Sequence, residues 1–290
     1  MRSPDVGGGI SSSVDLVHGS DVPSHASWSE QSSLALADLF ASMRAPAMWS
    51  ALAWIDIKHR YRRSVLGPFW ITITMAVLIL GIGTLYGILF NLPLRDYLPY
   101  IALGDIVWIY MSTAAQEGCS AFTASENLIR SMRVPFMAHV MRVVLRCFLV
   151  FLHGAVAYLP FVLIFDLEIS TVALYAIPGV VLVALMTPPL ILLLSCLTAR
   201  FRDIQPIVTN MMQMGFFLTP IIWKPEMLGE HRWVADFNPL FHFIEVVRAP
   251  MMGNLPEMQS YIACIVSVLV LWIVAFPVFI AVRRKLSVWV

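Results

Sequence analysis

Two kinds of residue in this chain could do chemistry: basic side chains crowded against an apolar run, and ionisable groups inside apolar runs. Positions 59–70 read HRYRRSVLGPFW, and no charge occurs from 65 to 94. Arg and His beside such a run can hold an anionic headgroup, because a guanidinium takes two phosphate oxygens at once. In helical projection of 47–63, Trp54, Ile57 and Tyr61 share one face, and Asp56, His59, Arg60 and Arg63 share the opposite one. Lys58 and Arg62 fall at the edge, where long stems can snorkel. This is the pattern of a helix lying in the headgroup plane, with His59, Arg60 and Arg63 as headgroup ligands. The plainer reading is a juxtamembrane anchor that follows the positive-inside bias.

Among ionisable groups within apolar stretches, Asp105 and His153 are deep and Glu117 lies near an inner end. Such groups are functional candidates, although a polar contact between helices explains one Asp and one His, and a proton-coupled carrier would carry more of them. Nucleotide and hydrolase motifs are missing: there is no G-x-x-x-x-G-K-[ST], H-E-x-x-H or G-x-S-x-G. Cys119, Cys147, Cys196 and Cys264 are dispersed without zinc or redox spacing and read as small core residues. The sequence offers no catalytic residue and no metal site.

The elements that must position these groups follow from composition. With 59% apolar and 13% charged residues and a mean hydropathy of +0.79, the chain is a membrane protein. A net charge of +1 argues against nucleic acid as a partner. Stretches of about 20 apolar residues occur at 66–90, 98–116, 143–165, 172–198, 204–223 and 257–282, giving six expected spans. Asp105 weakens the second, and Pro178, Pro188 and Pro189 predict an irregular fourth helix. With both termini in the cytoplasm, all Lys and Arg except Arg95, Lys224, Arg232 and Arg248 lie on or near the inner side.

Residues 1–33 are Ser-rich, lack a signal-peptide core and read as a disordered cytoplasmic tail, followed by a cytoplasmic segment at 34–65 with the interfacial helix. The six-span transmembrane body covers 66–285, and 286–290 form a second tail. Between spans two and three, Thr123 and Glu126 match a capping box, Leu128, Ile129 and Met132 make an apolar ridge, and Pro135 ends the helix. A partner would cover that ridge. Outside, 224–256 is too long to be an idle loop; Asn238-Pro239 marks a turn, and Leu240, Phe243, Ile244 and Val247 recur at helical spacing before Pro250.

As a set, RYRRSVLGPFW, ENLIRSMRVPFMAHV, ARFRDIQPIV, TPIIW and FNPLFHFIEVVRAPMMG resemble the type-2 ATP-binding-cassette exporter permeases for O-antigen, capsular polysaccharide and teichoic acid. The resemblance runs from about 47 to 285, and NPLFHFIEVVRAP is most similar to the O-antigen branch. Val134 departs from it, standing where many relatives carry an aromatic.

The resemblance implies an all-α membrane protein of six transmembrane helices, with an N-terminal interfacial helix, a cytoplasmic coupling helix and short periplasmic gate helices. It implies a multi-pass chain of the bacterial inner membrane, paired with a second copy and two nucleotide-binding ATPase subunits. These would bind ATP and Mg, leaving this chain without cofactor or catalysis. The cargo would be a polysaccharide on undecaprenyl pyrophosphate, with its headgroup at the interfacial helix. Ser125, Leu128, Ile129, Met132 and Arg133 would couple to the ATPase, with the turn at 200–203 as counterpart. Trp70, Tyr86, Tyr100, Trp108, Tyr110 and Phe217 would line the channel, unless they only belt the lipid interface. Phe237, Asn238, Phe243, Glu245 and Arg248 would belong to the periplasmic gate. Rival readings are an exporter of drugs or simple lipids with the same fold, a secondary carrier, and a membrane glycosyl-transferring enzyme. The last needs converging carboxylates, whereas Glu117, Glu126 and Asp203 are well separated in the inner loops.

Overall fold

A chain that is apolar for twenty residues must close its own backbone hydrogen bonds, and this one does so as helices. The computed structural model describes residues 27–290 apart from Pro68 and Arg133. Positions 1–26 of the expected tail, and Arg133 of the expected coupling set, lie outside the described residues. The order is α1 (Trp28–Arg44), α2 (Pro46–Tyr61), α3 (Phe69–Leu89), α4 (Leu94–Cys119), α5 (Glu126–Ser131), α6 (Phe136–Val156), α7 (Leu159–Ile164), α8 (Ala176–Arg200), α9 (Ile204–Leu218), α10 (Trp233–Asp236), α11 (Pro239–Met251) and α12 (Met258–Trp289).

Five helical stretches are long and apolar enough to cross a membrane: Phe69–Leu89, Leu94–Cys119, Phe136–Ile164, Thr171–Arg200 and Met258–Leu286. At 15 residues α9 reaches about 22 Å, short of the roughly 30 Å hydrocarbon core. The five differ in surroundings. α4 has the lowest hydropathy of them and is the most enclosed, packed on α3, α6, α8, α9 and α11, whereas α3 and α12 are the least enclosed. A helix covered by protein can carry Asp105 and several tyrosines, while one facing lipid cannot. α8 stays one helix through Pro188 and Pro189.

Two ion-pair clusters fix one end of the bundle, the inner end in the orientation expected from the basic residues. The first belongs to α1, which begins at Trp28, inside the stretch read as tail. Ser27 caps it: its hydroxyl accepts from the Glu30 amide, and the Glu30 carboxylate accepts from the Ser27 amide. Ala35, Asp38 and Ser42 form the buried stripe. Asp38 reaches the start of α6, where its two oxygens accept from the amides of Phe136 (3.0 Å) and Met137 (2.9 Å). Those amides have no partner inside their own helix, so a carboxylate from another element satisfies them and opposes the helix dipole. Arg283 of α12 stands 3.6 Å from the same carboxylate.

The second cluster docks α2 onto α6. Asp56 accepts from Arg142 and Arg146, with Arg142 Nε at 2.6 Å. Burial opposes ionisation of Asp56, but the two guanidinium groups prevail and hold its carboxyl below the usual carboxylate range. After α2, the left-handed backbone of Arg63 (φ 71°) and Gly67 (φ 53°) turns the chain into α3.

Asp38→Ala is expected to cost about 3 kcal/mol or more, because it strands two helix-terminal amides and removes the carboxylate beside buried Arg283, and to lower the thermal-unfolding midpoint of the purified protein. The Asp56 clamp has a defined pH window. A carboxyl with a depressed folded pKa stabilises fully above its unfolded value of 3.8 and loses that contribution as pH falls through the lower folded value. Amide exchange across α2, corrected for intrinsic rates, should therefore stay level from pH 8 to about 5 and rise only below about pH 4.

Candidate functional site

Along α4, positions 105, 108, 109, 112, 113 and 116 recur at helical spacing, and along α9 so do 209, 212, 213, 216 and 217. These two stripes, with Leu78 of α3, line a hollow of about 430 Å³. Its wall mixes hydrogen-bonding side chains (Asp105, Ser112, Thr113, Gln116, Thr209, Gln213) with the rings of Trp108, Phe216 and Phe217. Gln116 Nε2 donates to Ser112 Oγ at 2.8 Å, and Trp108 meets Phe216 with ring centroids 6.0 Å apart. The close fit depends on Gly215, since a Cβ there would stand 3.0 Å from the Trp108 ring. Such a wall can bind a hydroxyl-rich, partly apolar ligand.

At the outer end the chain unwinds. α9 stops at Leu218 ahead of Pro220, since a residue before proline is pushed into extended backbone, and Thr219 adopts it. Unwound carbonyls at membrane depth need donors. Arg248 Nη1 donates to the Pro220 carbonyl at 2.7 Å, the Tyr100 hydroxyl to that of Trp223 at 3.2 Å, and the Tyr97 hydroxyl to that of Ile222. Arg248 is 1% exposed. Its charge is met by Glu245, with Nη2 to Oε2 at 2.7 Å, and by the face of Tyr100, 3.9 Å from the guanidinium carbon. The expected gate residues thus divide. Arg248 and Glu245 form a buried brace, Phe243 packs in the core, and Asn238 caps α11 through the Leu240 amide while donating to Thr219. Phe237 is 82% exposed.

The six expected channel aromatics also part company. Trp108 and Phe217 meet at the hollow. Tyr100 joins the Arg248 brace. Tyr110, nearly opposite Trp108 on the helix, hydrogen-bonds Thr187 at 2.6 Å and packs on Phe148 and Phe151 inside the bundle. Trp70 and Tyr86 lie on α3, Trp70 exposed and Tyr86 beside Phe90.

At the inner end Arg60 engages Glu117, which also takes Arg146 at 2.7 Å, so the basic face of α2 turns toward the bundle. His59 and Arg63 remain exposed. The capping box expected at Thr123 and Glu126 does not form: Thr123 opens a 3-10 turn and donates to the Ser120 carbonyl, while Glu126 pairs with Arg130 at 3.0 Å. Nor is the ridge wholly external, because Ile129 is buried, Leu128 is half-buried, and Met132 is 55% exposed just beyond the helix. Ser125 is buried and donates to the Ala121 carbonyl. The turn at 200–203 lies close by: Thr123 and Glu126 share a hollow of about 290 Å³ with Arg202 and Gln205.

Sequence reasoning missed Asp38 and the pairing of Asp56 with Arg142 and Arg146. The signal for the second was present as Asp56 and Arg60 on α2 and Arg142 and Arg146 on α6, each pair at i, i+4 spacing. Asp105 and His153 do not meet: His153 contacts Thr72 and Phe69 of α3, and among the described residues no hydrogen bond joins the two. The four cysteines are buried and free. Among the described residues no cluster of His, Cys, Asp and Glu could hold a metal ion.

Comparison with known proteins places this geometry. The chain is 27% identical over 230 residues to the O-antigen export system permease protein RfbA of Myxococcus xanthus, covering 75% of this chain and 85% of that protein. Two proteins of the same name from Klebsiella pneumoniae are 23% identical over 238 residues (80% of this chain, 90% of that protein) and 22% over 191 (65% and 74%). A family model described as ABC-2 type transporter matches residues 48–252, from within α2 through the end of α11. The chain belongs to the ABC-2 type transporter family, whose members are membrane permease subunits.

Proposed function

We propose that this chain is the permease of an exporter that moves polysaccharide linked to undecaprenyl pyrophosphate, O-antigen foremost, across the bacterial inner membrane. It acts as a pair of copies with two separate ATPase subunits, which bind ATP and Mg and supply the energy. Both termini are cytoplasmic. The observation that carries this reading is the α4–α9 wall, where aromatic faces and hydrogen-bonding side chains alternate. Sugar rings stack on aromatics and bond through hydroxyls with little demand for sequence, so a repetitive polymer can slide. The names of the three relatives support the same cargo.

Three further features agree. Although α9 is short, the stretch 204–222 follows α4 along its height: Val208 packs near Cys119, Gly215 beside Trp108, and Ile222 at Tyr97. It therefore serves as the sixth crossing, part helix and part extended chain. The open face of α9 sets Asn210 among Met211 and Met214, and an amide facing lipid is costly, which favours cover by the second copy. The hollow shared by the 3-10 turn, α5 and the 200–203 turn gives an ATPase one continuous seat. Outside, α10 and α11 with the Arg248 brace act as the exit gate.

Coupling is tested by co-purification. Leu128→Asp with Met132→Asp should abolish capture of the ATPase while the permease still folds, whereas Ile129→Asp should damage folding itself because Ile129 is in the core. A double variant that retains the ATPase and exports normally removes the coupling role. For the headgroup, a diphosphate recruiting Arg60 from Glu117 needs a planar two-pronged donor that Lys lacks. Arg60→Lys and Arg63→Lys should each reduce stimulation of ATP hydrolysis by lipid-linked substrate in the reconstituted complex, and Arg62→Lys should do little. Equal behaviour of all three would leave the cluster a topology anchor.

A further inference from the structure

Within the α4–α9 hollow one side chain stands apart. Asp105 is 1% exposed to solvent, and its Oδ2 has no hydrogen-bond partner among the described residues. It nonetheless lines the hollow. It lies twelve residues along α4 from Glu117, about 18 Å at helical rise, and so sits in mid-bundle. A buried carboxyl with an idle oxygen is costly and lowers stability unless something meets it. Among the described residues no cation pairs with it: Arg248 approaches the neighbouring Gly104 but directs its donors to Pro220 and Glu245.

The surroundings of Asp105 indicate what could meet it. Trp108 follows at i+3 on the same face, with Phe216 behind its ring and Phe217 65% exposed at the rim. Farther along the hollow toward Glu117, Gln213 and Thr209 line it from α9. A buried carboxyl one turn from aromatic rings, in a hollow whose walls carry an amide and hydroxyls, matches a ligand with an apolar ring face and hydroxyl donors on its edge.

We propose that Asp105 is a specificity-determining residue of the export path. It accepts hydrogen bonds from adjacent hydroxyls of one sugar unit of the passing polymer while Trp108 and its aromatic neighbours cover the ring face. The assignment rests on the polysaccharide-export reading above and names its preferred cargo, a neutral glycan. Acidic units would bring like charge to a poorly hydrated carboxyl and pass less readily.

The test uses the full complex of permease and ATPase, purified from cells that make its polymer, and measures binding of that polymer after its release from the lipid by mild acid. Asp105→Asn keeps the shape but has one acceptor where Asp has two, and Asp105→Leu has none. A hydrogen bond to a charged group contributes about 1.5–3 kcal/mol, so Kd should rise about tenfold or more for Asp105→Asn and further for Asp105→Leu. Asp105→Asn binding released polymer as tightly as the unaltered complex overturns the proposal, whether or not Asp105→Leu folds. If the unaltered complex binds no released polymer yet is stimulated by the lipid-linked form, the proposal also fails while the export reading stands. If the lipid-linked form gives no stimulation either, the export reading itself fails.

Discussion

A peptide carbonyl without a donor is tolerated nowhere less than inside a membrane, and the outer half of this protein is organised around that constraint. The chain abandons the helix at Thr219 and Pro220, leaving the carbonyls of Pro220, Ile222 and Trp223 to be satisfied from other elements. Tyr97 and Tyr100 of α4 and Arg248 of α11 supply the donors. Arg248 is a charge buried to carry out this task, and Glu245 and the Tyr100 ring make its burial tolerable. The break therefore ties α9, α4 and α11 into one unit, so movement of the outer helices must be felt at the α4–α9 wall.

The inner end solves a related problem with side-chain charges. Arg142, Asp56, Arg146, Glu117 and Arg60 alternate in sign across α6, α2 and α4, and Asp38 links α1 to α6 and α12. Arg60, Arg142, Arg146 and Arg283, which a count of positive charges assigns to the inner side, each also have a specific carboxylate partner. The elements at this end are thereby fastened to the long helices by ionic contacts, while His59 and Arg63 of the basic cluster remain exposed.

The class of the protein, its long helices and the existence of helix α2 were legible because apolar length and charge placement are properties of the chain alone. What was not legible depended on neighbours. α1 hides in a Ser- and Ala-rich stretch whose buried stripe, Ala35, Asp38 and Ser42, has little hydrophobic contrast; its decisive residue is an aspartate that makes sense only beside the amides of Phe136 and Met137. Thr123 and Glu126 have capping-box spacing, but the preceding turn occupies Thr123 and Arg130 engages Glu126. Leu128, Ile129 and Met132 were rightly seen as apolar, yet the end of α5 before Met132 splits them between core and surface.

The aromatics show where residue type ceases to inform and helical phase takes over. Trp108 and Tyr110 are two positions apart, about 200° around α4, and that angle sends one ring into the hollow and the other to Thr187 on α8. The face carrying Trp108 also carries Asp105, Ser112 and Gln116, which makes it the polar side of an otherwise apolar helix. α4 thus has the lowest hydropathy of the five long helices and the greatest burial for one reason. Protein covers most of it, and the side it leaves open faces α9, where groups that lipid would penalise can meet a polar ligand.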